Sequence, residues 1–205
     1  MTAAAPRIAV FGGTFDPFHL GHLAVAQQAR DGILAGETWV VPAGHPPHRG
    51  PVHAPAADRL AMCQAGTEGF PGIRVLDLEL RRPGPSYTID TMRDLAGEHP
   101  DLELWVVLGA DAARQVPAWH GAEELLAGFR FVLVNRAGES AIRHPEAVSL
   151  GFHPDRTRVV GIHSPDISAT EIRARAAAGE PLDGLLSPAV AGVIRQRGLY
   201  APDAG

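Results

Sequence analysis

Short apolar runs, each closed by glycine, proline or a polar cluster, recur along the 205-residue chain. Ile8 to Phe11 stops at Gly12-Gly13, Thr38 to Val41 stops at a proline-rich stretch, and Ile73 to Leu80 nearly alternates. Leu104 to Leu108 reads Leu-Trp-Val-Val-Leu, and Phe131 to Val134 and Thr157 to Gly161 complete the set. Runs of this length read as buried strands. Between them apolar residues take helical spacing, which predicts helices from about Gly21 to Ile33, Ala56 to Glu68, Tyr87 to Gly97 and Leu185 to Arg197. In the helix from Ala56, Leu60 with Met62 or Cys63 is expected on the inner side. Ser86 is a candidate N-cap, and Ser168 or Thr170 can cap a further helix, with Glu171 at capping-box spacing from Ser168. Residues 137–156 read as loop and irregular connection. Strands alternating with helices predict an α/β, Rossmann-like fold: a central, mostly parallel sheet with helices on both faces and a small C-terminal helical part. Residues 1–205 are expected to form one domain, with about 165–205 as the helical portion.

Composition narrows the function classes. Apolar residues make up 45% of the chain, enough for a substantial core, and the formal charge is −5. An acidic chain is a poor candidate for an extended nucleic-acid surface. All 18 basic residues are arginines, so every cationic contact to phosphate must come from arginine or histidine. The single cysteine, Cys63, fits a small buried apolar role and cannot form an intrachain disulfide. With no apolar stretch of membrane-spanning length and no secretory signal pattern, the expected setting is cytoplasmic.

The candidate chemistry gathers at predicted strand ends, where ligands of α/β sheets bind. After the first strand come Gly12, Gly13, Thr14, Asp16, His19 and His22. Two imidazoles three residues apart at a helix start can reach one polyanion together with helix amides, although a capped turn with two exposed histidines would use the same residues. Metal ligation by the pair is disfavoured, because no third or fourth ligand is spaced for it. Arg49 ends a loop stiffened by Pro46 and Pro47 and offers a fork suited to phosphate. Tyr87 and Thr88 open one helix, and Trp119 offers a flat aromatic face. Asp111 closes the Leu104–Leu108 strand; there it can accept from ribose hydroxyls, orient magnesium through water, or cap a helix. Ser168, Thr170 and Arg173, with free amides, form a second candidate phosphate receptor.

Taken together these motifs resemble the nucleotidyltransferases that carry an (H/T)xGH signature, and specifically the bacterial nicotinate-nucleotide adenylyltransferases. The resemblance rests on Gly12-Gly13-Thr14-Phe15-Asp16-Pro17 with His19-Leu20-Gly21-His22, on Pro46-Pro47-His48-Arg49, on Ser86-Tyr87-Thr88, on Gly109-Ala110-Asp111 and Val134-Asn135-Arg136, and on Ile167 to Arg173. It spans roughly residues 8–200. It implies adenylyl transfer from ATP to nicotinate mononucleotide, giving deamido-NAD and pyrophosphate, with Mg²⁺ accompanying ATP. The implied roles are catalysis by His19 and His22; ATP phosphate binding by Gly12, Gly13, Thr14, Ser168, Thr170 and Arg173; and mononucleotide binding by Arg49, Tyr87, Thr88, Asp111, Trp119 and Arg136. The sequence departs at Ala169, where the family usually has a second serine. Alternatives are transfer to nicotinamide mononucleotide or another small phosphate ester, or a non-catalytic nucleotide-binding protein on the same fold. The oligomeric state is left open.

Overall fold

The computed structural model describes residues 5–47, 52–136 and 140–202. In chain order the elements are β1 (Arg7–Gly13), α1 (Leu20–Gly32), β2 (Glu37–Pro42), α2 (Ala56–Thr67), β3 (Ile73–Val75), α3 (Leu78–Arg81) and α4 (Thr88–Glu98). There follow β4 (Glu103–Gly109), α5 (Ala110–Gln115), α6 (Ala122–Gly128), β5 (Arg130–Arg136), α7 (His144–Ser149), β6 (Thr157–Ile162), α8 (Ala169–Ala177) and α9 (Pro188–Gln196). Among the described residues the strands form one sheet in the order β3-β2-β1-β4-β5-β6, with every pairing parallel.

The central strands β1, β2, β4 and β5 are buried on both faces, which explains why they read as continuous apolar runs, whereas the edge strands β3 and β6 are partly exposed. Side-chain alternation splits the core into two layers. Ala9, Phe11, Val40 and Val107 face α1, α2, α8 and α9. Ile8, Val10, Val41 and Val106 face α4 to α7. Chain order reverses between β1 and β4, and there the sheet opens. Their pairing ends at Val10–Val106, although β1 continues to Gly13 and β4 to Gly109. Strands that diverge past their last pair leave a crevice at their carboxyl ends, where doubly wound sheets bind ligands.

Several elements depart from the pattern-based expectation. The third strand stops at Val75, and Leu78–Arg81 forms one helical turn. The near-alternation misleads because the side chain buried there is the carboxylate of Glu79, which accepts a hydrogen bond from Thr91. Within 137–156, α7 and a 3₁₀ turn at Pro154–Arg156 appear; α7 buries only Ala147, too little to leave a helical period in the sequence. The last helix begins at Pro188, capped by the Ser187 hydroxyl, which accepts from the Val190 amide at 3.3 Å. Cys63 is buried, and its thiol is pushed well above its ordinary pKa by desolvation. No helix among the described residues is long and apolar enough to cross a membrane.

Candidate functional site

The segment joining β1 to α1 turns on tight packing. A methyl on Gly13 would stand 2.7 Å from the Phe15 ring, whereas one on Gly12 would meet nothing within 4 Å. Gly13 is therefore glycine because Phe15 lies over it, and Gly12 leaves its side of the strand end open to the crevice. Phe15 itself takes φ 51°, a left-handed conformation that costs a non-glycine residue energy and persists only where surroundings fix it.

His19 is the N-cap of α1. Its Nδ1 accepts from the His22 amide at 3.3 Å, and His22 Nδ1 accepts from the His19 amide at 3.3 Å. This is a capping box made of two imidazoles. With both Nδ1 atoms accepting, a neutral ring at either position carries its proton on Nε2. The rings stack at 3.6 Å with 23° between their planes. A methyl on Gly21 would lie 3.0 Å from His19 Nδ1 and 3.5 Å from the Pro165 carbonyl, so the residue between the histidines has no room for a side chain. Phe15 and Phe18 wall His22 at 5.0 and 5.6 Å. His19 is only 4% exposed, and its pKa is lowered to about 4, first by burial and then by the nearby charge of Arg136. It is thus a neutral donor at neutral pH. The expected help from α1 amides is smaller than the pattern implied: the Leu20 amide donates to Leu185, and those of His22 and Leu23 to His19.

Three side chains to which the sequence reading gave no role hold this segment. The Asp16 carboxylate, 6% exposed, accepts from the amides of His53 (2.7 Å) and Ala54 (3.2 Å) and from the Tyr200 hydroxyl (2.7 Å). Arg59, 1% exposed, donates to the carbonyls of Thr14 (2.7 Å), Ala54 and Gly44. Burial lowers its pKa, against the pull of Asp16. Its signal was available: Arg59 shares one helix face with Met62, Cys63 and Gly66, all buried. Leu60, expected on that face, is only partly buried.

The second phosphate candidate lies at α8. Ser168 is its N-cap, but among the described residues its hydroxyl makes no cap bond. Glu171 pairs instead with Arg175 at 2.7 Å, so the expected capping box does not form. Arg173 donates to the Asp16 carbonyl at 2.8 Å and to Thr170 Oγ1 at 3.2 Å, which brings this helix to the β1–α1 segment. Ser168 and Thr170 are exposed. No hydrogen bond among the described residues engages the amides of Ala169, Thr170 and Glu171.

The remaining candidates divide. Arg136, at the end of β5, lies near enough for its charge to act on His19. Tyr87, rather than Ser86, is the N-cap of α4. Ser86 is drawn away because its hydroxyl accepts from the amides of Gly44 (2.9 Å) and His45 (3.1 Å), which pins the loop after β2. Tyr87 stacks on His120 at 4.2 Å, one residue beyond Trp119; both Tyr87 and Trp119 pack on the α4–α7 core layer. Thr88 is the first residue of α4. Asp111 does not cap α5; Gly109 occupies that position, and Asp111 sits exposed in the first turn, 3.2 Å from Arg114. Arg49 lies outside the described residues. Among the described residues no group of three or more His, Cys, Asp or Glu side chains is placed to hold a metal ion.

Comparison with known proteins fits this geometry. Residues 10–175 match the model of the cytidylyltransferase-like family. A protein of Shouchella clausii described as "Probable nicotinate-nucleotide adenylyltransferase" is 40% identical over 195 residues, covering 95% of this chain and 96% of its own length. A protein of Symbiobacterium thermophilum with the same description is 40% identical over 197 residues, covering 95% of each. The solved structure of Plasmodium falciparum nicotinic acid mononucleotide adenylyltransferase complexed with NaAD superposes with a TM-score of 0.77 at 20% identity, over 95% of this chain and 97% of that one; at that identity the likeness speaks for the fold. The chain belongs to the cytidylyltransferase-like family and, within it, to the nicotinate-nucleotide adenylyltransferases.

Proposed function

We propose that this protein transfers the adenylyl group of ATP to nicotinate mononucleotide, releasing deamido-NAD and pyrophosphate. The observation that carries the reading is the pair of stacked imidazoles at the switch point, each with its Nδ1 accepting from the other's backbone amide, which fixes both rings at the strand end. A phosphate oxygen of the mononucleotide attacks the α-phosphorus of ATP. A new P–O bond forms as the bond from that phosphorus to the β-bridging oxygen breaks, and pyrophosphate leaves with the electron pair. The attacking oxygen is already anionic, so no protein nucleophile is required; catalysis comes from alignment and from donors aimed at developing charge.

In this reading His22 donates to the α-phosphoryl group, with His19 beside it as a donor that is neutral at neutral pH. Gly12, Gly13 and Thr14 border the triphosphate. Ser168, Thr170, the open amides of α8 and Arg173 receive the β and γ phosphates. Arg136, whose charge reaches His19, is better matched to a phosphate than to the pyridine ring. Arg49 steers the incoming mononucleotide. Mg²⁺ would be carried chiefly on ATP oxygens and water, supplying charge neutralisation. The donor set suits that arrangement, since the buried Asp16 carboxylate already accepts from three protein donors while Asp111 is exposed beyond β4 and can hold a metal-bound water.

Preference for the nicotinate over the nicotinamide form belongs to the same reading. The Tyr87 amide is engaged by the Pro85 carbonyl, so the donors left for a carboxylate at this turn are the Thr88 amide and hydroxyl. A carboxylate only accepts, whereas the amide form also presents N–H groups that donors would leave unmatched. Trp119 supplies an aromatic face for the ring. A substrate panel tests the proposal: ATP and CTP against nicotinate mononucleotide, nicotinamide mononucleotide, phosphopantetheine and glycerol phosphate, with pyrophosphate and nucleotide products both measured. Deamido-NAD formation is expected, with kcat/KM about 10-fold or more above that for nicotinamide mononucleotide. Equal values would remove the specificity claim, and pyrophosphate release with a different pair only would remove the function.

A further inference from the structure

From the contacts around Asp16 we infer that Tyr200, 184 positions along the chain, is a positioning residue for the chemical step, acting through Asp16 on the ring of His22. The inference rests on the adenylyl-transfer reading for its kinetic consequence alone.

The path is short. The Tyr200 hydroxyl donates to Asp16 Oδ1 at 2.7 Å. On the same carboxylate, Oδ1 also accepts from the Ala54 amide and Oδ2 from the His53 amide, with His53 Nδ1 at 3.5 Å from Oδ2. The Asp16 carbonyl receives Arg173. One residue thus gathers the β1–α1 segment, the 53–54 segment, α8 and the segment that follows α9. Asp16 stands between Phe15 and Phe18, the two rings that wall His22. Phe15 holds a left-handed backbone conformation, at a cost that only well-fixed neighbours sustain. Loss of one donor from the carboxylate lets that segment relax, and the first group to feel the relaxation is the imidazole ring between the phenylalanines.

Tyr200 is itself held. Its ring packs against the core layer of α1, α2, α8 and α9, and Arg197 of the same segment pairs with Asp58 of α2. Burial, followed by the bond to Asp16, raises the phenol's pKa above its ordinary value. The hydroxyl therefore stays a donor at any working pH. Charge on Asp16 is what makes the bond directional, since hydrogen bonds to ionised acceptors are shorter and stronger than neutral ones.

The test is Tyr200→Phe, which keeps the ring and removes the donor, studied at a temperature where circular dichroism shows fully folded protein. Two readouts apply: steady-state kinetics with ATP and nicotinate mononucleotide, and the imidazole NMR resonances of His22 without substrate. We expect kcat to fall about 5- to 10-fold with KM for ATP within about twofold, and the His22 resonances to move. Asp16→Asn, which reaches the segment from the other side, should move the same resonances. Unmoved His22 resonances in Tyr200→Phe overturn the inference, as does a kcat within about twofold of wild type. A shift in Asp16→Asn without one in Tyr200→Phe assigns the positioning to Asp16 alone and equally overturns it. If the wild-type protein forms no deamido-NAD, the adenylyl-transfer reading fails, and the His22 resonances decide the inference by themselves.

Discussion

The N-termini of α1 and α8 meet at one crevice but are built in opposite ways. At α1 the cap is closed: the paired histidines satisfy each other's amides, Leu20 is bound to Leu185, and Asp16 and Arg59 fix the approach from behind. At α8 the cap is open: Ser168 and Thr170 are exposed, and among the described residues the first three amides of the helix have no partner. Internal bonds at α1 spend the amides of His19, Leu20, His22 and Leu23 and fix the orientation of two stacked imidazole rings. Solvated amides at α8 leave a general anion receptor. Under the proposed function the first site would carry the geometry-critical chemistry and the second would capture the leaving phosphates. Arg173 joins them, one guanidinium nitrogen on the Asp16 carbonyl and another on Thr170.

Breaking the closed side should have the largest effect. Gly13→Ala places a methyl 2.7 Å from the Phe15 ring, which must then shift against His22. Turnover should fall about 10²-fold and stability by about 1–3 kcal/mol, read by steady-state kinetics and urea unfolding. Gly12→Ala is the contrast: its methyl meets no protein atom within 4 Å, so stability should hold while ATP binding weakens. A stable, active Gly13→Ala protein would show that the segment is not tightly set.

Burial of the neutral His19 ring predicts a stability loss in acid. The folded pKa is about 4 against an ordinary 6.5, so below 6.5 the unfolded chain takes up a proton that the folded chain refuses. This contribution is complete above 6.5 and is lost as pH falls toward 4, amounting to about 2 kcal/mol by about pH 5. Urea unfolding of wild type and His19→Asn, which keeps a capping acceptor, should show that the variant loses less between neutral pH and about pH 5. Equal losses would mean that His19 does not stay neutral.

The open side is expected to be forgiving. Ala169→Ser adds the hydroxyl that the family resemblance implies at that position, and because the proposed site already offers amides and neighbouring hydroxyls, KM for ATP should change by no more than about threefold. A larger gain would show that the α8 receptor depends on the side chain at 169.

The closed and open caps also differ in how far the sequence disclosed them. The strands and the crevice were legible because a parallel sheet buries both faces and ends in Gly12-Gly13 and Gly109. The histidine pair was legible as a motif, but its capping bonds were not, since imidazole is an unusual cap and nothing local separates it from an exposed pair. Asp16 was visible as a polar residue in the motif, yet its meaning comes from Tyr200 and the 53–54 amides, contacts that no local pattern carries. Arg59 could have been found as a charge on an apolar helix face. Ser86 was read as a cap from its place before a helix; a loop 42 residues earlier claims it instead. Ser168 and Glu171 have capping-box spacing, but Glu171 finds a cation one turn on. Long-range partners override local spacing in both cases.

The most direct measurement of the closed-versus-open assignment is an ATP titration, at saturating nicotinate mononucleotide, of His22→Ala beside Arg173→Ala. The account predicts that His22→Ala loses about 10²-fold or more in kcat with KM for ATP within about threefold, while Arg173→Ala raises KM for ATP about 10-fold with a smaller loss in kcat. Near-normal turnover in folded His22→Ala, or an unchanged KM for ATP in Arg173→Ala, would contradict it.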